Sequence, residues 1–147
     1  MKKFLLFFLF FVNGLFCETD MQEKQSISIC AIFKNEKKFI KEWIEYHLLI
    51  GIDHFFLYEN NSSDEFFEIL KPYLKKGVVT VIRWPDICLK KETDPHWALS
   101  TQASAYENAI NFLAKNRSKW LVFLNMDEYL VPVEKNIKDL LEKYDQY

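Results

Sequence analysis

The sequence predicts an α/β fold in which a mostly parallel, doubly wound sheet is flanked by helices. Short runs rich in β-branched and aromatic residues alternate with longer stretches whose apolar residues recur at helical spacing. The connections between them are mostly short, and such alternation favours parallel strands joined by right-handed crossovers. The chain has 147 residues, half of them hydrophobic, so we expect one domain with a single core.

The first 25 residues are set apart from this pattern. Lys2 and Lys3 precede the apolar run FLLFFLFFVNGLF, which is followed by the polar stretch ETDMQEKQ. A basic start and a short apolar core are typical of a secretory signal peptide, whereas a spanning helix needs about 18 or more apolar residues. No clean small-residue cleavage site is present, so an uncleaved membrane anchor stays open. We therefore predict a secreted or membrane-associated protein whose folded domain spans residues 26–147.

The first βα unit begins with SISICAIF, residues 26–33, a β-branched apolar run that is typical of a buried strand. Cys30 lies in this run. The three cysteines show no CxxC or Cys/His spacing, so we expect Cys30 to be a small buried side chain rather than a metal ligand. The next stretch has apolar residues at helical spacing and ends at Gly51, a good C-terminal stop. On this helix, His47 is expected to pack in the core.

The second unit repeats the pattern directly. DHFFLYEN, residues 53–60, predicts a strand, and NSSDEFFEILKPYLKKG predicts a capped helix that ends before Gly77. Ser62 or Ser63 can serve as the N-cap of this helix, and the acidic residues that follow suit a helix N-terminus.

The rest of the chain continues the alternation. VVTVIRW, residues 78–84, predicts a third strand, and the polar connection over residues 85–95 is longer than is usual between such elements. A helix is predicted over residues 97–116, and it leads to a fourth strand that includes Trp120. NIKDLLEKY, residues 136–144, predicts a final short helix.

Polar residues follow three of the predicted strands, and in a parallel sheet these strand ends share one edge. Ligands of open α/β sheets bind in the crevice outside the carboxyl ends of the strands. The most informative stretch is LVFLNMDEYL, residues 121–130, where an apolar run breaks into Asp127 and Glu128. Carboxylates suit Mg²⁺ or Mn²⁺, with substrate phosphates completing the metal's shell. Acids at a strand exit also cap turns, so both interpretations stay open from these residues alone.

The charge of the chain argues against a nucleic-acid partner. The formal net charge is −2, and no basic run with interleaved aromatic residues follows the N-terminal segment. We therefore expect no binding of nucleic acid.

Three stretches together resemble a known family: AIFKNEKKFIKEWIEYHLLIGIDHFFLYENNSSD, STQASAYENAI and KWLVFLNMDEYL, in that order. They resemble the family 92 glycosyltransferases, also called the domain-of-unknown-function 23 group, and the wider family 2-like enzymes with the GT-A fold. The resemblance implies a GT-A-like, Rossmann-like fold, of which this chain holds the N-terminal, donor-binding half. It also implies a nucleotide-sugar donor, a glycan, lipid or protein acceptor, and Mn²⁺ or Mg²⁺ on the diphosphate.

The resemblance also implies roles for individual residues. Asp127 occupies the last acid of a DxD-like motif and is implied to hold the metal. The first acid of that motif is replaced by Asn125, whose amide can hydrogen-bond a ribose or phosphate but brings no charge. The implied donor-binding residues are Asn35 and Glu36 in the first βα turn, Asn60 and Asp64 after the second strand, Gln102 in the helix before the motif, and Asn125 itself.

The catalytic base stays unassigned. Glu128 is adjacent to Asp127, but a side chain beside the metal ligand is better placed to support that ligand than to act as a base. The family resemblance leads us to expect the base beyond residue 147. Two functions are therefore predicted side by side: a metal-dependent glycosyltransferase, and a truncated, non-catalytic remnant or binding module of the same fold.

Overall fold

The computed structural model describes residues 25–85, 97–114, 118–133 and 136–144. The predicted signal or anchor, residues 1–25, lies outside these ranges except for Gln25. The polar connection, residues 85–95, lies outside them except for Pro85. Within the described ranges, no helix is both long enough and apolar enough to cross a membrane. The elements, in chain order, are β1 (Gln25–Phe33), α1 (Ile40–Leu49), β2 (His54–Glu59), α2 (Phe66–Lys75), β3 (Val79–Arg83), α3 (Trp97–Asn108), a π-helical segment (Ala109–Ala114), β4 (Ser118–Phe123) and α4 (Ile137–Glu142).

The four strands form one parallel sheet in the order β3-β2-β1-β4, which confirms the predicted α/β class. On one side β1 pairs with β2, with Ser28 opposite His54, and on the other side it pairs with β4, with Ile27 opposite Trp120. The chain thus builds outward from β1 to β3 and then crosses to the opposite side for β4. The connection after β1 leads to one side of that strand, and the connection after β3 leads back to its other side. The position between β1 and β4 is therefore the topological switch point, where such sheets bind ligands.

Side chains of β1 alternate between two hydrophobic cores, one on each face of the sheet. Ile27 and Ile29 belong to the core that includes residues of α1 and α2. Cys30 faces the other core, together with Ala105 of α3 and Ala109. Cys30 is fully buried, as predicted, and burial raises the pKa of its thiol to about 12. Helices on both faces explain why β1 reads as a continuous apolar run.

The predicted stop of α1 at Gly51 is confirmed. Gly51 has a φ of 106°, a left-handed conformation that favours glycine, and a Cβ there would lie 2.5 Å from Oδ1 of Asn136. Asn136 is the N-cap of α4 and accepts from the backbone N–H of Lys138. The N–H of Ile137 donates to the carbonyl of Ile50 at 3.1 Å. The C-terminus of α1 therefore packs directly against the N-terminus of α4.

The predicted N-cap of α2 is wrong. Glu65 occupies the N-cap position and makes no capping hydrogen bond through its side chain, and the helix begins at Phe66. Ser62 Oγ instead accepts from the N–H of Asn35 at 3.0 Å, and the N–H of Ser63 donates to Oδ1 of Asn35 at 2.8 Å. The two serines join the loop after β2 to the loop after β1, and this long-range contact replaces the local capping role.

The third helix also differs from its prediction. The sequence predicted one α-helix over residues 97–116, whereas the structure has an α-helix over Trp97–Asn108 and π-helical turns over Ala109–Ala114. Thr101, Ala105 and Ala109 are buried, four residues apart. Ala105 and Ala109 share a core with Cys30 of β1, so the helical segment covers this face of the sheet despite its π-helical turns.

Candidate functional site

Two neighbouring cavities open at the carboxyl ends of β1 and β4, at the switch point of the sheet. The smaller cavity has a volume of about 280 Å³, and the larger one about 610 Å³. They share a wall formed by Ile32, Phe33, Lys34 and Asn125. The smaller cavity is completed by Asn60, Thr101 and Gln102, and the larger one by Glu36, Phe39, Met126, Asp127 and Tyr129.

The two acids after β4 are used differently. Glu128 accepts the backbone N–H of Asn125 through Oε2 at 2.7 Å, and its own N–H donates to the Asn125 carbonyl at 3.1 Å. Glu128 therefore closes the turn at the end of β4. Asp127 is exposed in the larger cavity, and its carboxylate makes no hydrogen bond or ion pair with any residue that the structure describes.

Three side chains of α1 hold the backbone that carries these acids; we call Trp43, Tyr46 and His47 the α1 brace. Trp43 Nε1 donates to the carbonyl of Glu128 at 2.8 Å, and the Tyr46 hydroxyl donates to the carbonyl of Leu130 at 3.1 Å. His47 Nε2 accepts the N–H of Leu130 at 3.2 Å. Because these bonds end on main-chain atoms, they fix the segment without using its carboxylates.

The buried His47 ring, which the sequence predicts to pack in the core, is held as a neutral imidazole. Its Nδ1 lies 2.7 Å from the carbonyl of Trp43, and a carbonyl can only accept, so Nδ1 carries the proton. Nε2 is then free to accept from Leu130. Burial lowers the pKa of His47 and outweighs the opposing effect of the bond to Trp43. The neutral form that the brace requires is therefore also the form that the environment favours.

Gln102 and Asn125, both predicted to bind the donor, are brought together. Gln102 Nε2 donates to Oδ1 of Asn125 at 2.8 Å and to the hydroxyl of Tyr106 at 2.8 Å. This bond fixes the Asn125 amide with its oxygen toward Gln102, and the amide nitrogen makes no hydrogen bond with the residues that the structure describes. That nitrogen is a donor suited to a ribose or phosphate oxygen.

The smaller cavity also contains a buried polar group that the sequence analysis missed. Thr101 is 5% exposed, and among the described residues its hydroxyl has no hydrogen-bond partner. Leaving such a group unsatisfied costs about 1 to 3 kcal/mol, which a polar ligand atom can recover. Asn60 also lines this cavity; it is buried and donates to the carbonyl of Trp84 at 2.8 Å. Thr101 is next to the predicted donor residue Gln102 in the sequence, but no local pattern shows that its hydroxyl is buried.

Two other predicted donor residues, Asn35 and Asp64, line neither cavity. Asn35 binds the serines after β2, as described above. Asp64 accepts the backbone N–H of Lys37 through Oδ2 at 2.8 Å, and Lys37 also forms an ion pair with Glu65. We call residues 34–37 and 60–65 the paired loops, because their polar atoms bind each other across the end of the sheet.

The paired loops still contribute two charged side chains to the cavities. Glu36 lines the larger cavity, while its backbone carbonyl accepts from Phe39 and Ile40 at the start of α1. Lys34 is exposed and lines both cavities. In the sequence, Lys34 directly follows the predicted first strand, but no motif gives it a role. A cation on the shared wall is suited to a ligand that carries phosphate.

The donor set fits a metal that is shared with a ligand. In the described parts of the chain, no three His, Cys, Asp or Glu side chains are arranged to hold a metal ion. Asp127 offers one carboxylate that no residue in these ranges pairs with. Mg²⁺ is usually held by one or two carboxylates plus phosphates and water. The residues present therefore suit a cation whose other ligands come from a bound diphosphate.

Fold and site together define an α/β domain with a ligand cleft at the switch point of a parallel sheet. The chain belongs to glycosyltransferase family 92, whose family model matches residues 23–147. It is 30% identical over 125 residues to a glycosyltransferase family 92 protein of Oryza sativa subsp. japonica. It is also 30% identical over 112 residues to galactan beta-1,4-galactosyltransferase GALS3 of Arabidopsis thaliana. These matches cover 84% and 74% of this chain but 19% and 21% of the relatives, so the chain spans about a fifth of their length.

A solved structure supports the fold. The chain is similar to S. aureus TarS 1-349, whose crystal structure is a complex with UDP, with a TM-score of 0.55 and 17% sequence identity. The match covers 82% of this chain and 32% of that chain. The predicted family resemblance and the GT-A-like fold class are thus confirmed.

Proposed function

We propose that this domain binds the nucleotide-sugar donor of a glycosyltransferase and holds the divalent cation that accompanies it. The observation that carries the proposal is the carboxylate of Asp127, which has no partner among the described residues and lies beside two joined cavities at the switch point of the sheet. Membership of a glycosyltransferase family supports sugar transfer as the reaction. The UDP in the TarS structure and the galactosyl transfer in the name of GALS3 favour a uridine diphosphate sugar as the donor.

In this proposal the nucleoside occupies the smaller cavity and the diphosphate crosses the shared wall. The Asn125 amide and the Thr101 hydroxyl supply hydrogen-bond donors to the nucleoside half. Lys34 supplies positive charge near the phosphates, where negative charge gathers as the sugar bond breaks. Asn60 and Gln102 form the remaining polar wall of that cavity. Asn35 and Asp64 contribute indirectly, by fixing the loop that carries Lys34 and Glu36.

Asp127 is the residue that would hold Mn²⁺ or Mg²⁺. Such a cation, when bound, stabilises the charge of the departing diphosphate without any proton transfer. Glu128 keeps its role as the residue that closes the turn, and we assign no catalytic base within the chain. The acceptor in this proposal is a glycan, lipid or protein. We assign no acceptor-binding residue among those that the structure describes.

The proposal is tested by the thermal stability of the chain with UDP, measured with Mn²⁺ and again with EDTA. A ligand at a hundred times its Kd adds about 2.7 kcal/mol to the free energy of unfolding. We expect UDP to raise Tm strongly only with Mn²⁺, and Asp127→Asn to remove that metal-dependent part. Asp139→Asn, an exposed acid on α4, is the matched control and should behave as the parent chain. Equal stabilisation by UDP with and without Mn²⁺ would contradict the proposed metal role.

A second candidate function is a binding module that keeps the donor site but transfers no sugar. Asn125 in place of an acid favours it, since only one carboxylate of the motif remains for the metal. Incubation with radiolabelled UDP-galactose separates the two: an active enzyme releases UDP or labels an acceptor, whereas a binding module retains UDP-galactose unchanged.

We also propose that the protein is secreted or membrane-associated, from the basic and apolar composition of residues 1–25. Cell fractionation followed by N-terminal sequencing tests this. An intact N-terminus in the soluble cell extract would contradict it.

A further inference from the structure

Two exposed aromatic rings and two carboxylates line the larger cavity. Phe39 is 55% exposed and Tyr129 is 39% exposed, and both line this cavity together with Glu36 and Asp127. Burial of large aromatic rings is a main source of folding stability. Two that stay exposed in one cavity, beside acids, therefore suggest contact with a ligand that has both apolar and hydroxyl surface.

The ring of Tyr129 is held in a fixed position by the α1 brace. It stacks on the imidazole of His47, with ring centroids 5.7 Å apart and planes at 14°. Its edge contact with Tyr46 has a centroid distance of 5.1 Å and an angle of 77°. Since one face lies against a fully buried histidine, the exposed area belongs to the rest of the ring. A ring that is already ordered costs little further entropy when a ligand covers it.

A hexose matches this cavity chemically. One face of a hexose ring presents C–H groups, which can cover the negative face of an aromatic ring, while the hydroxyls stand around its rim. Ionised carboxylates only accept hydrogen bonds, and sugar hydroxyls can donate to them. Tyr129 and Phe39 provide the first type of contact, and Glu36 and Asp127 provide the second.

The position of the cavity identifies which sugar it would take. It shares Ile32, Phe33, Lys34 and Asn125 with the smaller cavity, in which the proposed function places the nucleoside. A diphosphate that crosses this shared wall beside Asp127 leads its sugar into the larger cavity. We propose that Tyr129 determines how tightly the sugar of the donor is bound, because the hexose covers its ring in the larger cavity. This inference rests on the proposed donor function.

The test compares the Kd of UDP with the Kd of UDP-sugars, measured by calorimetry with saturating Mn²⁺. UDP-galactose, UDP-glucose and UDP-N-acetylglucosamine are tried, and the tightest binder is kept. We expect Tyr129→Ala to raise the ratio of the UDP-sugar Kd to the UDP Kd by about threefold to tenfold, as expected for the loss of an aromatic contact. Tyr129→Phe keeps the ring and should keep the ratio. Phe67→Ala, which removes an aromatic ring that is 49% exposed on α2, is the matched control.

Either of two results would overturn the inference while leaving the donor function intact. One is an unchanged ratio in Tyr129→Ala, and the other is an equal loss of affinity for UDP and for the UDP-sugar. Failure of the parent chain to bind UDP at all would instead overturn the donor function. If Tyr129→Ala does not fold, Phe39→Ala replaces it, because Phe39 is exposed at the start of α1. We expect Phe39→Ala to shift the ratio in the same direction, and no shift would overturn the inference.

Discussion

The paired loops and the segment after β4 are both polar chain segments at the same edge of the sheet, yet they are fixed in opposite ways. In the paired loops, side-chain oxygens of Asn35, Ser62 and Asp64 accept backbone N–H groups from the neighbouring loop. In the segment after β4, the α1 brace binds main-chain atoms of Glu128 and Leu130.

This difference shows which carboxylate at the edge of the sheet remains available to bind a ligand. Asp64 uses one carboxylate oxygen to hold Lys37, and its other oxygen is buried without a hydrogen-bond partner among the described residues. Asp127 makes no such bond within the same ranges, because the brace and Glu128 already fix its surroundings. Two acids that look alike at strand ends are thus a structural residue and a candidate ligand residue.

The largest effect is expected from removing the centre of the brace. Trp43 is fully buried, so Trp43→Ala should lower the free energy of unfolding by about 3 to 5 kcal/mol, through lost packing and a cavity. The change also leaves the Glu128 carbonyl without its donor. Urea unfolding followed by circular dichroism measures the loss. A cost below about 1 kcal/mol would contradict the central position of Trp43 in the core and in the brace.

An intermediate effect should separate the two acids. Asp64→Ala removes the acceptor of the Lys37 N–H and should cost about 1 to 3 kcal/mol. Asp127→Ala should leave the free energy of unfolding within about 0.5 kcal/mol of the parent chain. Asp64→Asn retains an acceptor oxygen and should recover part of the loss. Equal costs for Asp64→Ala and Asp127→Ala would remove the distinction between the two regions.

The smallest effect is expected from acidification. Burial holds the pKa of His47 below its ordinary value of 6.5. As the pH falls below about 6.5, the unfolded chain therefore binds a proton that the folded chain does not, and the free energy of unfolding falls until the folded pKa is passed. Protonated Nε2 would also face the N–H of Leu130 as a second donor.

This pH dependence is measured by urea unfolding between pH 7.5 and about 5. In His47→Gln, position 47 no longer titrates in this range, so the free energy of unfolding should change less steeply with pH than in the parent chain. The absolute stabilities are not compared, since the substitution itself alters packing. Identical slopes for the parent chain and His47→Gln would contradict the proposed role of the neutral ring.

The order of elements and the edge that carries the site could be predicted from the sequence, because both follow from local patterns. The apolar run before Asp127 indicates a strand and its exit, although β4 is a half-buried edge strand, and Gly51 indicates a helix end. His47 and Cys30 are buried as expected. These features depend on residues within a few positions of each other, or on the general rule for parallel sheets.

The partners of individual side chains could not be predicted, because they depend on how distant segments meet. Ser62 has the composition of an N-cap, but the register of β1 against β2 brings it to Asn35, and that contact is made instead. The brace joins residues more than 80 positions apart, such as Trp43 and Glu128. Thr101 was missed for the same reason, since only the packed sheet shows that its hydroxyl is enclosed.

The close approach of Gly51 to Asn136 has a consequence for sequence variation in this fold. Position 51 is partly exposed and lies in neither cavity, so it resembles a surface site where many residues are tolerated. Any other residue there would nonetheless have to adopt an unfavourable backbone conformation, and its Cβ would clash with Oδ1 of Asn136, the N-cap of α4. Randomised libraries of this domain should therefore retain glycine at a position that neither burial nor ligand contact would mark as restricted.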